Sequence, residues 1–138
     1  MRITRTCLTL LALSATALAG EVPKVRPAEA AKLVAEGKAV LVDCREPKEW
    51  NETGVAAPAV LLPKSDFDGD QKEWKEFLAR NRDKQILVYC RTGRRSGIVA
   101  NALAQRGMKS ANAGGFKDWA DAGLPTRPVD ASKEEAKK

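Results

Sequence analysis

The sequence predicts an α/β fold with a mainly parallel central sheet that is flanked by helices on both faces. Two short apolar runs, Ala39–Asp43 and Ile86–Cys90, have the length and composition of buried strands. Segments with the apolar spacing of helices alternate with these strands, an order that is typical of parallel sheets. Ligands bind such sheets at the carboxyl ends of the strands, so the residues that follow each strand are the first candidates for a site.

The first half of the chain contains the signals of one helix and one further strand. After an extended lead-in over residues 20–26, Pro27 stands in the first turn of a predicted helix and Gly37 at its end, as their backbone preferences favour. Residues 45–50 are predicted to form a loop that leads into a short helical turn. Residues 60–62 are predicted to form a short strand.

The second half of the chain is predicted to supply three more helices. Trp74, Phe77 and Leu78 have the spacing of an amphipathic helix over residues 70–80. The other two helices are expected from Arg95 or Ser96 to Gln105, and over residues 116–121 after a turn at Gly114 and Gly115.

Residues 1–19 are predicted to be a secretory signal peptide. Arg2 and Arg5 form a basic start, residues 7–18 are mostly apolar, and residues 17–19 form a small-x-small cleavage signal. We therefore expect a periplasmic or secreted protein with no stable membrane insertion after cleavage. An N-terminal membrane anchor is the alternative, although the apolar run is shorter than the roughly 20 residues that a transmembrane helix needs.

Residues 20–127 are long enough for one domain with a single core, and residues 128–138 read as a charged, flexible tail. The formal net charge of +6 falls to +4 when Arg2 and Arg5 leave with the signal peptide. This mild excess suits small anionic ligands, whereas a nucleic-acid partner would call for basic runs interleaved with aromatic residues. We expect the domain to be a monomer.

The most informative stretch is the Cys90 loop, residues 90–96, which combines a cysteine with three arginines. Cys90 ends a predicted strand, and Arg91, Arg94 and Arg95 follow it closely. A tight loop that feeds a helix points backbone N–H groups inward, and these groups bind anions together with the helix N-terminus. Such surroundings stabilise a thiolate, so the sequence predicts a reactive cysteine rather than an inert structural one.

The chain contains no histidine, which excludes Ser-His-Asp and Cys-His nucleophile systems and histidine-based metal sites. Signal cleavage would also remove Cys7 and leave Cys44 and Cys90, too few to build a zinc site alone. No metal and no cofactor are therefore expected. Cys90 would have to be activated by backbone amides, arginines and a helix terminus.

The segment CRTGRRS resembles the active loop of rhodanese-type sulfurtransferases, Cys-x-x-Gly-x-Arg-Ser/Ala. Two further segments are similar to signatures of the same family: VLVDCREPKEW to its first signature, and NAGGFKDW followed by GLP to its closing one. Together they span residues 29–125 in the family's order. The resemblance implies a rhodanese-like fold of the small, exported, single-domain type.

The resemblance implies a thiosulfate sulfurtransferase that works through a Cys90 persulfide. A small anionic sulfur donor such as thiosulfate would load Cys90, and cyanide or a thiol would accept the sulfur. Cys90 and Arg95 would be catalytic, and Arg95 would turn inward to brace the loop, with Glu46 or Asp43 as its partner. Substrate contacts are expected from Arg91, Thr92, Gly93, Arg94, Ser96, Arg45 and Asp43. For Asp43 and Arg45, a purely structural salt bridge is an equal alternative.

The length of the loop distinguishes sulfur transfer from phosphoryl transfer. Phosphatases and arsenate reductases with this fold use Cys-x5-Arg, whereas four residues separate Cys90 from Arg95 here. The shorter loop fits the outer sulfur of a persulfide. One departure from the family lies at residues 54–59, which lack the family's usual histidine.

Two other functions remain open at this stage. The first is a thiol–disulfide or redox protein that uses Cys44 and Cys90, since both cysteines follow strands at the same sheet edge. Strand alternation is expected to point Cys44 away from the Cys90 loop, which weakens this reading. The second is a non-catalytic rhodanese module that carries sulfur or binds a partner.

Overall fold

A computed structural model describes residues 21–130. The predicted signal peptide, residues 1–19, and most of the predicted tail lie outside the described residues. Between residues 21 and 130, no helix is long and apolar enough to span a membrane.

Helices and short strands alternate through the described part of the chain. In chain order they are α1 (Pro27–Ala35), β1 (Ala39–Asp43), α2 (Pro47–Thr53), β2 (Val55–Ala56), β3 (Val60–Leu61), α3 (Lys64–Asp68), α4 (Lys72–Arg80), β4 (Gln85–Cys90), α5 (Arg94–Gln105), β5 (Ser110–Gly115), α6 (Phe116–Asp121) and β6 (Thr126–Arg127).

The central sheet has four strands in the order β3-β1-β4-β5, and every neighbouring pair is parallel. The inner strands β1 and β4 pair from Ala39 opposite Gln85 to Asp43 opposite Tyr89. A separate antiparallel ribbon joins β2 to β6. The predicted α/β fold with a mainly parallel central sheet is confirmed.

The sheet is covered by helices on both faces, as predicted. Successive strand residues point to opposite faces, so the apolar runs of β1 and β4 feed two cores at once. One core packs against α3, α4 and α5 and includes Val42, Val88, Phe67, Trp74, Val99 and Leu103. The other packs against α1 and α6 and includes Leu41, Leu87, Tyr89, Ala30, Ala111 and Trp119.

Strand β5 is absent from the sequence-based prediction, which placed only a turn at its end. Its residues are small or polar, SANAGG, and lack the β-branched and aromatic side chains that mark a strand. The strand forms because β4 offers it a pairing edge and α5 covers it. Helix α3 is a second omission, because five residues after Pro63 are too few to show helical periodicity.

Two helix starts differ from the prediction. Helix α4 begins at Lys72, after Gln71 with a left-handed φ of 60°, and Asp66 Oδ2 accepts the N–H groups of Glu73 and Trp74 at 3.1 and 3.0 Å. Helix α5 begins at Arg94, one residue before the predicted range. The second difference matters for the site because it shortens the turn after β4.

The lead-in pairs with the outer edge of β5. Val25 N–H donates to the Asn112 carbonyl, and Asn112 N–H donates to the Pro23 carbonyl, both at 2.9 Å. Lys24 therefore forms a parallel bridge with Asn112. The chain that precedes α1 is thereby fixed to the sheet.

Candidate active site

The Cys90 loop turns the chain sharply from β4 into α5. Only three residues lie between Cys90 and Arg94, and the last of them, Gly93, has a left-handed φ of 91°. The loop also passes very close to the end of β5. A Cβ added at Gly115 would lie 2.5 Å from the Arg91 carbonyl oxygen, so only glycine allows this approach. The packing holds the loop in one shape.

The Cys90 sulfur lies at the bottom of this loop and is surrounded by hydrogen-bond donors. The residue is only 1% exposed. Gly93 N–H donates to Cys90 Sγ at 3.1 Å, and the Ser96 hydroxyl lies 3.4 Å from the same sulfur. These are the backbone and side-chain donors of a helix N-terminus, the surroundings that favour a negative charge.

The pKa of Cys90 is lowered from 9.0 to about 4 by this hydrogen bonding. The Cys44 thiol makes the largest contribution as a donor, burial opposes it, and the Ser96 hydroxyl and the N–H groups of Ser96 and Thr92 add to it. The pKa of Cys44 is raised, first by its bond to Cys90 and then by burial. Cys90 is therefore the thiolate of the pair, and Cys44 keeps its proton.

The expectation that Cys44 points away from the Cys90 loop is wrong. Strand register decides the matter: Val42 lies opposite Val88 and Asp43 opposite Tyr89, so the next residues, Cys44 and Cys90, come side by side. Both belong to the core beneath α5, and both are free thiols. The register of β1 against β4 could have revealed this neighbour.

Arg95 braces the loop through Glu49 of α2. Its Nη1 and Nη2 donate to the two carboxylate oxygens of Glu49 at 2.8 and 2.7 Å, a paired geometry that fixes both side chains. The bond to Arg95 lowers the pKa of Glu49 to about 2, and the same bond raises the pKa of Arg95. The expected partners, Glu46 and Asp43, were the wrong ones: Glu46 binds Ser65 instead.

Asp43 and Arg45 form a buried salt bridge, with Arg45 Nη2 2.7 Å from Asp43 Oδ2. Arg45 also donates to Thr53 Oγ1 and to the Gly54 carbonyl, both at 2.9 Å. Its guanidinium group lies 4.6 Å from the ring centroid of Phe116. These contacts tie the end of β1 to the end of α2 and to α6. They fit the structural alternative, in which Asp43 and Arg45 form a salt bridge that holds the fold. Substrate binding by this pair stays a prediction.

The other predicted site residues are distributed around the loop. The side chains of Arg91, Thr92 and Arg94 are exposed, whereas Ser96 is buried below them. Across residues 21–130, no group of three or more His, Cys, Asp or Glu side chains could hold a metal ion. Sequence reasoning missed the roles of Cys44 and Glu49, although Glu49 lies in a recognised signature.

The low pKa of Cys90 predicts a reactivity profile. The rate at which iodoacetamide alkylates Cys90 is expected to stay constant from about pH 6 to 8, because the reactive thiolate is fully formed there. Below that range the rate should fall through a midpoint at about 4, where the sulfur becomes protonated. Mass spectrometry of the Cys90 peptide measures the rate.

Cys44→Ala provides the matched comparison, since it removes the neighbouring thiol and leaves the loop unchanged. Its midpoint is expected at higher pH, because the largest donor to the thiolate is gone. A wild-type midpoint close to 9.0, the ordinary value, would contradict thiolate stabilisation by the loop.

The profile of the Rhodanese-like domain family matches residues 26–122. The match includes the Cys90 loop, the Arg95–Glu49 pair and the buried Asp43–Arg45 pair. The chain belongs to the Rhodanese-like domain family.

Individual relatives agree with this assignment. A Schizosaccharomyces pombe protein named "Putative thiosulfate sulfurtransferase, mitochondrial" is 29% identical over 91 residues, which cover 59% of this chain. The match spans 63% of the length of that relative. A rhodanese-related protein of Thermoplasma volcanium has a similar structure, with 26% identity, a TM-score of 0.65, and coverage of 78% of this chain and 99% of the other. A rhodanese-like domain protein of Staphylococcus aureus is 25% identical, with a TM-score of 0.60 and coverage of 76% and 98%.

Proposed function

We propose that the protein is a sulfurtransferase that moves sulfane sulfur from thiosulfate or a similar anionic donor to cyanide or a thiol. The transfer would pass through a persulfide on Cys90. The observation that carries the proposal is the Cys90 thiolate, held at the N-terminus of α5 by the Gly93 N–H and the Ser96 hydroxyl. The name of the yeast relative supports thiosulfate as the donor.

The first half-reaction loads the sulfur. Cys90 Sγ attacks the outer sulfur of thiosulfate, a new S–S bond forms, and the donor's S–S bond breaks. Sulfite leaves with the electron pair of the broken bond, and the outer sulfur of the Cys90 persulfide carries the negative charge. The N–H groups that stabilise the thiolate would stabilise this charge as well.

In the second half-reaction, an acceptor removes the sulfur atom from Cys90. Cyanide or a thiolate attacks the outer sulfur of the persulfide, and the Cys90 thiolate leaves. With cyanide, the product is thiocyanate. The low pKa of Cys90 favours this step too, because a thiol of low pKa is a good leaving group.

The arginines of the loop divide into two roles under this proposal. Arg91 and Arg94 are exposed beside the loop and supply positive charge for the sulfonate group of the donor. Arg95 is held by Glu49, so it would act mainly by fixing the loop, while its charge stabilises the thiolate.

The proposal is tested by incubating the purified protein with thiosulfate alone and then with cyanide. After the first step, intact-mass analysis should show the gain of one sulfur atom on Cys90. Cyanide should then restore the original mass and release thiocyanate over many turnovers. A protein that gains no sulfur from any of several anionic donors would contradict the proposal, and one that gains sulfur without turnover would be a non-catalytic carrier.

A second candidate function is thiol–disulfide chemistry, which the contact between Cys44 and Cys90 favours. The same mass measurement separates the two functions. A disulfide between the cysteines removes two hydrogen atoms from the mass, whereas a persulfide adds a sulfur atom. Treatment with a peroxide in place of thiosulfate provides the oxidant that disulfide formation needs.

A further inference from the structure

The side chain of Asn112 connects three parts of the candidate active site. Its Nδ2 donates to the Gly93 carbonyl at 2.9 Å. Its Oδ1 accepts from the Ser96 hydroxyl at 2.8 Å and from Gly114 N–H at 3.0 Å. Asn112 lies in β5 and is only 9% exposed, so these bonds form where water offers little competition.

Two of the residues that Asn112 holds, Gly93 and Ser96, also offer hydrogen-bond donors to Cys90. Gly93 offers its N–H to Cys90 Sγ and its carbonyl to Asn112, so the amide side chain fixes the direction of that N–H group. Ser96 has a single hydroxyl proton, and its oxygen lies 2.8 Å from Asn112 Oδ1 but 3.4 Å from Cys90 Sγ. Asn112 Oδ1 is therefore the nearer acceptor for the Ser96 proton, and the support that Asn112 gives to the Cys90 sulfur passes through Gly93.

We propose that Asn112 is a positioning residue for sulfur transfer, which orients the Gly93 N–H towards the sulfur of Cys90 and so sets the strength of that hydrogen bond. Asn112 itself does not touch Cys90 in this role. The proposal rests on the proposed function, because it assigns Asn112 a part in the same site.

Asn112 is held both by α5 and by the lead-in. An added Cβ at Gly97 would lie 3.2 Å from Asn112 Nδ2, so α5 packs tightly over the amide. On the other side, the Asn112 main chain pairs with Pro23 and Val25 of the lead-in. The main chain of Asn112 is thus fixed by the lead-in, and its side-chain amide is held by Gly93, Ser96 and Gly114.

The test compares Asn112→Leu with wild type by the pH dependence of Cys90 alkylation. Leucine has a similar volume and no hydrogen-bonding group, so the Gly93 carbonyl loses its anchor. The midpoint of the profile is expected to rise by about one pH unit or more, because the Gly93 N–H is no longer held towards the thiolate. Repeating the comparison in a Ser96→Ala background removes the opposing effect of a Ser96 hydroxyl that is freed to donate to Cys90. The groups that face Cys90, namely the Cys44 thiol of β1 and the Arg95 guanidinium of α5 with its partner Glu49 of α2, are unchanged in this variant.

Ser110→Ala is the matched control. Ser110 lies in the same strand, is 6% exposed, and donates to the Ala100 carbonyl of α5 at 2.7 Å. The variant removes one buried hydrogen bond between β5 and α5 without touching the Cys90 loop. Its stability should fall while its alkylation midpoint stays at the wild-type value.

Asn112→Ala keeps the proposal testable if Asn112→Leu does not fold. It removes the donor to the Gly93 carbonyl without adding volume or charge, so its midpoint should also rise. A folded Asn112 variant that leaves the midpoint unchanged in the Ser96→Ala background would overturn the proposal. Alkylation does not require sulfur transfer, so failure of thiosulfate turnover in wild type would count against the proposed function and leave this readout intact.

Discussion

Replacing Cys90 with serine is expected to lower the rate of thiocyanate formation from thiosulfate and cyanide at least about a thousandfold. A serine hydroxyl is not ionised near neutral pH and cannot carry a persulfide, so both half-reactions lose their central group. The donors from Gly93 and Ser96 would remain, with no nucleophile to stabilise. The measurement is steady-state thiocyanate production, together with the intact mass after thiosulfate alone.

Cys44→Ser is the matched control because it makes the same change at the neighbouring cysteine. The hydroxyl of serine can still donate towards Cys90, so this variant should retain the Cys90 persulfide and turn over at a reduced rate. If Cys90→Ser instead kept a rate within about tenfold of wild type, Cys90 could not be the nucleophile.

Asp43→Asn is expected to lower the free energy of unfolding by about 3–5 kcal/mol. Asp43 is fully buried and balances the charge of Arg45, which is 1% exposed. Asparagine removes that charge and turns an N–H donor towards the guanidinium group, so Arg45 is left as an uncompensated buried cation. The loss is a large share of the roughly 5–15 kcal/mol that holds a typical domain together. Chemical denaturation followed by far-UV circular dichroism measures it.

Glu52→Gln tests whether burial is the cause. Glu52 pairs with Lys48 at 4.0 Å, but their side chains are 60% and 87% exposed. Neutralising this exposed carboxylate should change the free energy of unfolding by no more than about 0.5 kcal/mol. Equal effects at the two positions would show that burial of the Asp43–Arg45 pair is not what makes it important.

The central strands could be predicted from the sequence because their composition alone identifies them. β1 and β4 are short apolar runs that both cores require, whatever surrounds them. β5 could not be found in this way, because SANAGG is weakly suited to a strand in isolation. β5 forms a strand because β4 pairs with it and α5 covers it, and the local sequence encodes neither contact.

The candidate site likewise has one part that the sequence could predict and one part that it could not. Cys90, the glycines and the arginines are contiguous, so the local chemistry of the loop could be predicted before its shape was known. Its supports come from distant segments: Cys44 from β1, Glu49 from α2 and Asn112 from β5. Which of several carboxylates meets Arg95 depends on the orientation of α2, and the contact of Cys44 with Cys90 depends on strand register.

The pairing of the lead-in with β5 has a consequence for how the domain behaves among other proteins. Without that segment, the outer edge of β5 would present unpaired N–H and carbonyl groups, which attract strands of other chains and promote aggregation. The bonds of Pro23 and Val25 to Asn112 occupy part of this edge. Both residues precede the stretch that matches the family. We therefore expect residues that the family pattern leaves out to protect this edge from pairing with other chains.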